Sequence, residues 1–157
     1  MMKLGQMVAA VILVASALIG PSVYANDSAG ISGAAFTANS GADAPFIGHA
    51  SGSVYNSDTG NARWVVADLG SNWPAGTFKV TIIGLNNGVN QECDLWARDQ
   101  ATGNAHDGVN FNAAIGNVTY NVSVTLSVAH SALSLSCRLP AVNANGTSYI
   151  HAVVGPN

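Results

Sequence analysis

Tyr120-Asn121-Val122-Ser123-Val124-Thr125-Leu126-Ser127-Val128 is the stretch that decides the fold. Apolar and polar residues alternate strictly along it. A period of two puts successive side chains on opposite faces, so the run is a strand and not a helix. Tyr120, Val122, Val124, Leu126 and Val128 share one face. Asn121, Ser123, Thr125 and Ser127 share the other. One dry face and one wet face are what an antiparallel sheet with one side packed on a core requires.

The rule repeats in both directions along the chain. In 132–139, Leu133, Leu135, Cys137 and Leu139 share a face, opposite Ser134, Ser136 and Arg138. In 91–99, Cys93, Leu95 and Ala97 stand opposite Glu92, Asp94, Trp96 and Arg98. In 77–85, Phe78, Val80 and Ile82 fall together. Further strands are expected at 45–55 (two pieces around Gly52), 62–69, 109–115 and 147–154. Between them lie turn clusters such as Asn56-Ser57-Asp58-Thr59-Gly60-Asn61, Asn86-Asn87-Gly88 and Asn143-Ala144-Asn145-Gly146, where Gly and Asn supply positive φ. About eight short strands at even spacing predict an all-β, antiparallel two-sheet sandwich or jelly roll over 45–157. Residues 26–44, rich in Ala, Gly and Ser, are expected as a flexible arm or weak edge strand.

The first 25 residues read as a secretory signal peptide. Lys3 supplies the charge, 7–19 the apolar run, Gly20-Pro21 a helix break and Val23-Tyr24-Ala25 a small-residue cleavage site. The run falls short of the ~20 residues that span a bilayer, and no Cys follows it to carry a lipid. An exported chain with two cysteines pairs them, so Cys93 and Cys137 are expected as a disulfide. The chain-entropy model sets an upper value of about 4 kcal/mol for such a bond.

Charged residues are only 8% of the chain, and the formal net charge is −3. After residue 25 the basic residues are Arg63, Lys79, Arg98 and Arg138. No basic patch exists for nucleic acid or anionic lipid. Asn26, Asn117, Asn121 and Asn145 begin glycosylation sequons; in a bacterial chain, the reading adopted, they are ordinary polar positions.

Signatures of chemistry are missing at the level of motifs. His49, His106, His130 and His151 show no metal-ligand spacing, and no metal or cofactor is expected. His106-Asp107-Gly108 reads as loop. The 56–61 cluster and the group Asp99, Asn104, Asp107 are oxygen-rich, but neither has a bidentate Glu where an EF-hand places one. No Gly-x-Ser-x-Gly turn and no carboxylate pair marks a catalytic centre, so no catalytic residue is assigned. The aromatics carry the remaining signal. Trp96 falls on the outward face with Arg98 next along it, and Trp73 precedes Pro74 in a turn. An exposed Trp stacks on a sugar ring or a partner protein; if a second layer covers that face, Trp96 is core. Trp64, beside Val65 and Val66, reads as core.

Cys93-Asp94-Leu95-Trp96-Ala97-Arg98-Asp99, Leu135-Ser136-Cys137-Arg138-Leu139-Pro140 and Tyr149-Ile150-His151-Ala152-Val153-Val154 together resemble a loose group of small exported bacterial proteins of unknown function. These have a β-sandwich-like domain and a closing Leu-x-Cys-x-Leu-Pro strand. Members often carry a second Cys pair nearer the N-terminus, where this chain has Ala67-Asp68-Leu69. The resemblance implies a fold and an exported location, secreted or periplasmic, and no activity. The functional expectation is a non-enzymatic structural or surface-interaction protein of the cell exterior, with a protein or polysaccharide partner. Its alternatives are a carbohydrate-binding module using Trp96, Trp73 and Arg98, and a small secreted hydrolase.

Overall fold

The alternation at 120–128 belongs to a long strand in a computed structural model that describes residues 30–87, 91–113 and 116–155. The expected signal peptide lies outside the described residues. Among the described residues eleven strands are present, in chain order β1 (Ile31–Ser32), β2 (Thr37–Ala38), β3 (Ile47–Ala50), β4 (Ser53–Asn56), β5 (Arg63–Asp68), β6 (Gly76–Asn86), β7 (Gln91–Asp99), β8 (Ala105–Ala113), β9 (Gly116–Leu126), β10 (Ser131–Leu139) and β11 (Tyr149–Val154). They form two antiparallel sheets. Sheet A runs β3-β4-β11-β6-β9, with β1 paired to β11; sheet B runs β2-β5-β10-β7-β8.

The faces pack as the alternation demands. Val122, Val124 and Leu126 of β9 meet Leu95 of β7 and Leu133, Leu135 and Leu139 of β10 in one core, each nearly or fully shielded from water. Each such side chain contributes roughly 1.5–3 kcal/mol on burial. Cys93 and Cys137 stand directly opposite one another in the β7–β10 register and are bonded. Both side chains lie on the core side.

Four details differ from the sequence reading. The described residues hold eleven strands against about eight expected, the 26–44 segment adding the two short edge pairings β1 and β2. Its Phe36 is fully buried, and a 3₁₀ turn (Gly33–Ala35) capped by the Ser32 hydroxyl lets it enter the core. Trp64 is only partly buried: Val65 points inward at 0% exposure, so the pleat turns Trp64 and Val66 outward. A run of three apolar residues cannot itself reveal its face. Val128 lies past the end of β9, in the turn to β10, and is exposed. Strand β8 begins at Ala105, four residues before the expected 109, so His106 and Asp107 belong to a strand and not to a loop.

The disulfide closes a loop with a sequence separation of 44. Cys137→Ser is therefore expected to lower Tm by roughly 10 °C or more. Differential scanning calorimetry with and without reductant checks this; coincident melting curves would refute the role assigned to the bond.

Candidate functional site

Because the inner faces of β7 and β10 are committed to the core, their outer residues form an exposed surface on sheet B. Cross-strand register sets its rows. Asp68, Ser134, Trp96 and Gly108 lie in one row across β5, β10, β7 and β8. Val66, Ser136, Asp94 and Asn110 lie in the next, and Trp64, Arg138, Glu92 and Asn112 in the third. Among the described residues no second layer covers Trp96, which is 41% exposed.

Gly108 explains how that ring lies. A Cβ built on Gly108 would stand 2.8 Å from Cε3 of Trp96 and 3.0 Å from Cζ3. The indole therefore rests against bare backbone. A strand glycine leaves a gap that a cross-strand aromatic fills, and one side of the ring stays open to solvent.

Beside this row is a groove of about 480 Å³, lined by Ala35, Thr37, Val66, Asp68, Arg98 and Ser134 among others. The β2 arm forms one wall. Arg98 Nη1 donates to the Gly103 carbonyl at 3.3 Å, and Asp68 Oδ1 accepts from Gly70 N at 2.9 Å. Glu92 and Arg138 approach within 3.8 Å, both about half exposed, a pair contributing at most about 1 kcal/mol. Asp94 differs from these. Burial, and then the charge of Glu92, hold its carboxyl above the ordinary carboxylate range.

The structure thus brings Trp96 and Arg98 to one surface and leaves Trp73 out of it. Trp73 bridges to Ser131 at the sheet end. Its half-buried ring packs on the core, edge-on to Phe78 with centroids 5.6 Å apart. Pro74 and the turn were visible in the sequence, but the inward ring was not.

A second aromatic strip, on the outer face of sheet A, escaped the sequence reading. Tyr55 and Tyr149 have centroids 5.6 Å apart, and Tyr149 and His151 stack at 5.9 Å. The buried Ser53 hydroxyl lies 2.6 Å from His151 Nδ1. Tyr149 and His151, at i and i+2, were the available signal. Register with Tyr55, set by β4–β11 pairing, was not.

His106 gives an array that resembles hydrolytic machinery. Its Nδ1 lies 2.6 Å from Asp107 Oδ2 and its Nε2 lies 3.0 Å from Ser131 Oγ. Adjacent strand residues normally face apart. Here the β7–β8 register shifts between Ala97 and Arg98, leaving His106 as the extra residue of a bulge, and the two side chains meet. A Ser-His-Asp order results, but Ser131 is fully buried and donates its hydroxyl proton to the Val128 carbonyl at 2.7 Å. A nucleophile must be reached by its substrate. Asp107 also accepts from the Ser127 amide and hydroxyl, which holds its carboxyl below the ordinary range. The array ties the β9–β10 turn to β8.

The 56–61 cluster is likewise occupied by its own partners. Asn56, fully buried, turns Nδ2 to the carbonyls of Asn61, Leu139 and Pro140. Asp58 Oδ1 accepts from Gly60 N at 2.8 Å and Asn61 N at 3.2 Å, and Oδ2 accepts from Arg63 Nε at 2.9 Å. These bonds, that of Gly60 foremost and then Arg63, bring the Asp58 carboxyl down to about 2 from 3.8. Among the described residues, no three His, Cys, Asp or Glu side chains gather as a metal site. No helix of the described residues is long and apolar enough to cross a membrane.

No family model matches this chain, and no curated protein matches it. Among solved structures it is similar to the CBM36-1 domain of a multidomain xylanase from the hindgut metagenome of Trinervitermes trinervoides. That match has 16% identity and a TM-score of 0.49, over 82% of this chain and 96% of that one. It is also similar to carbohydrate-binding module CBM36 in complex with calcium and xylotriose, with 15% identity and a TM-score of 0.34 over 69% and 91%. The enzymatically active domain of bacteriophage CBA120 tailspike protein 4 matches at 18% identity and a TM-score of 0.49, over 66% of this chain. The aligned part covers 15% of that tailspike chain. At these identities the likenesses assign neither ligand nor activity.

Since the folded Asp58 carboxyl titrates near 2 against 3.8, its contribution is present above the higher value and is lost as pH falls from about 4 to about 2. Thermal melts across that window are expected to show a steeper acid loss for wild type than for Asp58→Asn. Calcium is expected to leave Tm unchanged. A calcium-induced rise abolished in Asp58→Asn would overturn the assignment of this loop as a self-satisfied turn.

Proposed function

We propose that this chain is exported and that its sandwich binds polysaccharide through the outer face of sheet B, without performing chemistry. The observation that carries the reading is Trp96, seated on Gly108 with one face open, beside a groove whose rim holds Arg98. A pyranose ring presents an apolar face of C–H groups and a rim of hydroxyls. The indole offers a flat, rigid partner for the first, at small entropic cost because two χ angles suffice to place it. Asp94, Ser134, Ser136, Asn110 and Asp68 surround it with acceptors and donors for the second. The groove shares Asp68 and Ser134 with the row that holds the ring, so a chain of sugars has room beyond one stacked unit.

An exported location is supported by the n-region, apolar run and cleavage pattern of 1–25, and by a disulfide that oxidising compartments maintain. With charged residues only 8% of the chain, binding rests mainly on shape, stacking and hydrogen bonds from a few polar side chains. An open aromatic face beside a groove, with polar side chains around it, suits a sugar ring and its hydroxyls.

The purified protein is expected to bind at least one member of a panel of soluble and insoluble polysaccharides, with a shift in intrinsic Trp fluorescence. Trp96→Ala is expected to weaken that binding by tenfold or more, the scale of losing an interfacial Trp. Trp73→Phe leaves the affinity unchanged, because Trp73 faces the core. Absence of binding across the panel, or full binding by Trp96→Ala, would falsify the proposal and return a protein partner to first place.

A further inference from the structure

We infer that Asp94 makes the Trp96 face select neutral, hydroxyl-rich polysaccharide over polyuronate; the inference rests on the reading of that face as a polysaccharide site. Asp94 stands two residues before Trp96 on the same side of β7, about 7 Å away along the strand. It is flanked by Ser136 of β10 and Asn110 of β8. Its Oδ1 is closed off from solvent without a hydrogen-bond partner. Strands usually settle such groups with a neighbouring donor, because an unpaired acceptor withdrawn from water costs free energy.

The other charges on this surface each have a partner. Glu92 faces Arg138 at 3.8 Å. Asp68 accepts from the Gly70 amide, Arg98 donates to the Gly103 carbonyl, and both line the same groove. Asp94 is the carboxylate here for which no hydrogen bond or ion pair stands among the described residues, and a ligand arriving on Trp96 meets it through Oδ2, the oxygen that is not closed off. An ionised carboxylate only accepts. Hydroxyls at the rim of a stacked sugar donate to it, and a charge-assisted bond of that kind is stronger than a neutral one. A uronate group in the same place brings a second acceptor and a like charge, which the site repels. Asp94 is thus the specificity-determining residue of the face, with Trp96 as its stacking surface.

The test measures binding of wild type, Asp94→Asn, Glu92→Gln and Trp96→Ala to soluble xylan, mixed-linkage glucan, galactomannan and polygalacturonate, by Trp fluorescence and affinity electrophoresis. Wild type is expected to bind a neutral polymer and to discriminate against polygalacturonate. Asp94→Asn weakens the neutral binding about tenfold, the scale of losing charge assistance from one bond, and narrows the gap to polygalacturonate. Glu92→Gln removes the same charge from the same face and leaves both within about twofold, because its carboxylate is already matched by Arg138. With Oδ1 unpartnered, Asp94→Asn melts at or above wild type, an outcome a structural role for Asp94 would not give. If Trp96→Ala abolishes binding while Asp94→Asn matches wild type, or while Glu92→Gln matches Asp94→Asn, this inference falls and the site stands. If wild type binds no polymer, or Trp96→Ala binds as wild type does, the site reading falls and takes this inference with it.

Discussion

The register between β7 and β10 is the constraint on which the rest depends. Cys93 and Cys137 occupy one cross-strand position, with Cα atoms 4.1 Å apart. A slip of one residue in either strand would send Leu95, Leu133 and Leu135 to solvent and bring Asp94, Ser134 and Ser136 inside. The bond ties the register that hydrophobic burial already favours. It also fixes the outer face by exclusion: whatever is not in the core must line up outside, and that face carries the two neighbouring rows of Trp96 and Asp94.

Glycine placement turns that outer row into a shaped surface. Gly108 leaves bare backbone under Trp96, and Gly48 does the same for Tyr55 on the other sheet, where a Cβ would stand 2.3 Å from the Tyr55 ring. In both cases an aromatic side chain covers a neighbouring strand that has no side chain of its own. Covering backbone in this way protects sheet hydrogen bonds near an edge. On sheet B the same arrangement leaves an indole face open beside a groove, so a stabilising device and a binding surface coincide.

Polar groups elsewhere are largely consumed by the fold. Asn56, Asp58 and Arg63 close the β4–β5 turn, and Asp107, His106 and Ser131 close the β8–β10 end. The second array shows why geometry alone does not make a catalyst. Its three side chains stand in the right order at hydrogen-bonding distance, but the hydroxyl is sealed from solvent and committed to a carbonyl. Asp94 is the contrast: its Oδ1 is closed off too, but the carboxylate has no hydrogen-bond partner and its Oδ2 lies on the outer face of sheet B.

Much of the sandwich was legible in the chain itself. Strict alternation assigns β7, β9 and β10 and the inward side of each, because period two is a local property that burial enforces residue by residue. The same alternation places Trp96 and Arg98 together and Cys93 opposite them. Neighbourhood across strands is not local, and there the sequence is silent. That Trp73 turns to the core, that Trp64 does not, that Phe36 reaches inside from an Ala- and Gly-rich segment, and that His106 meets Ser131 through a bulge are all decided by packing between residues far apart in the chain. The sequence by itself determined which faces of the strands are dry; only the tertiary structure decided which wet residues stand side by side, because pairing depends on loop paths and register that no single strand encodes.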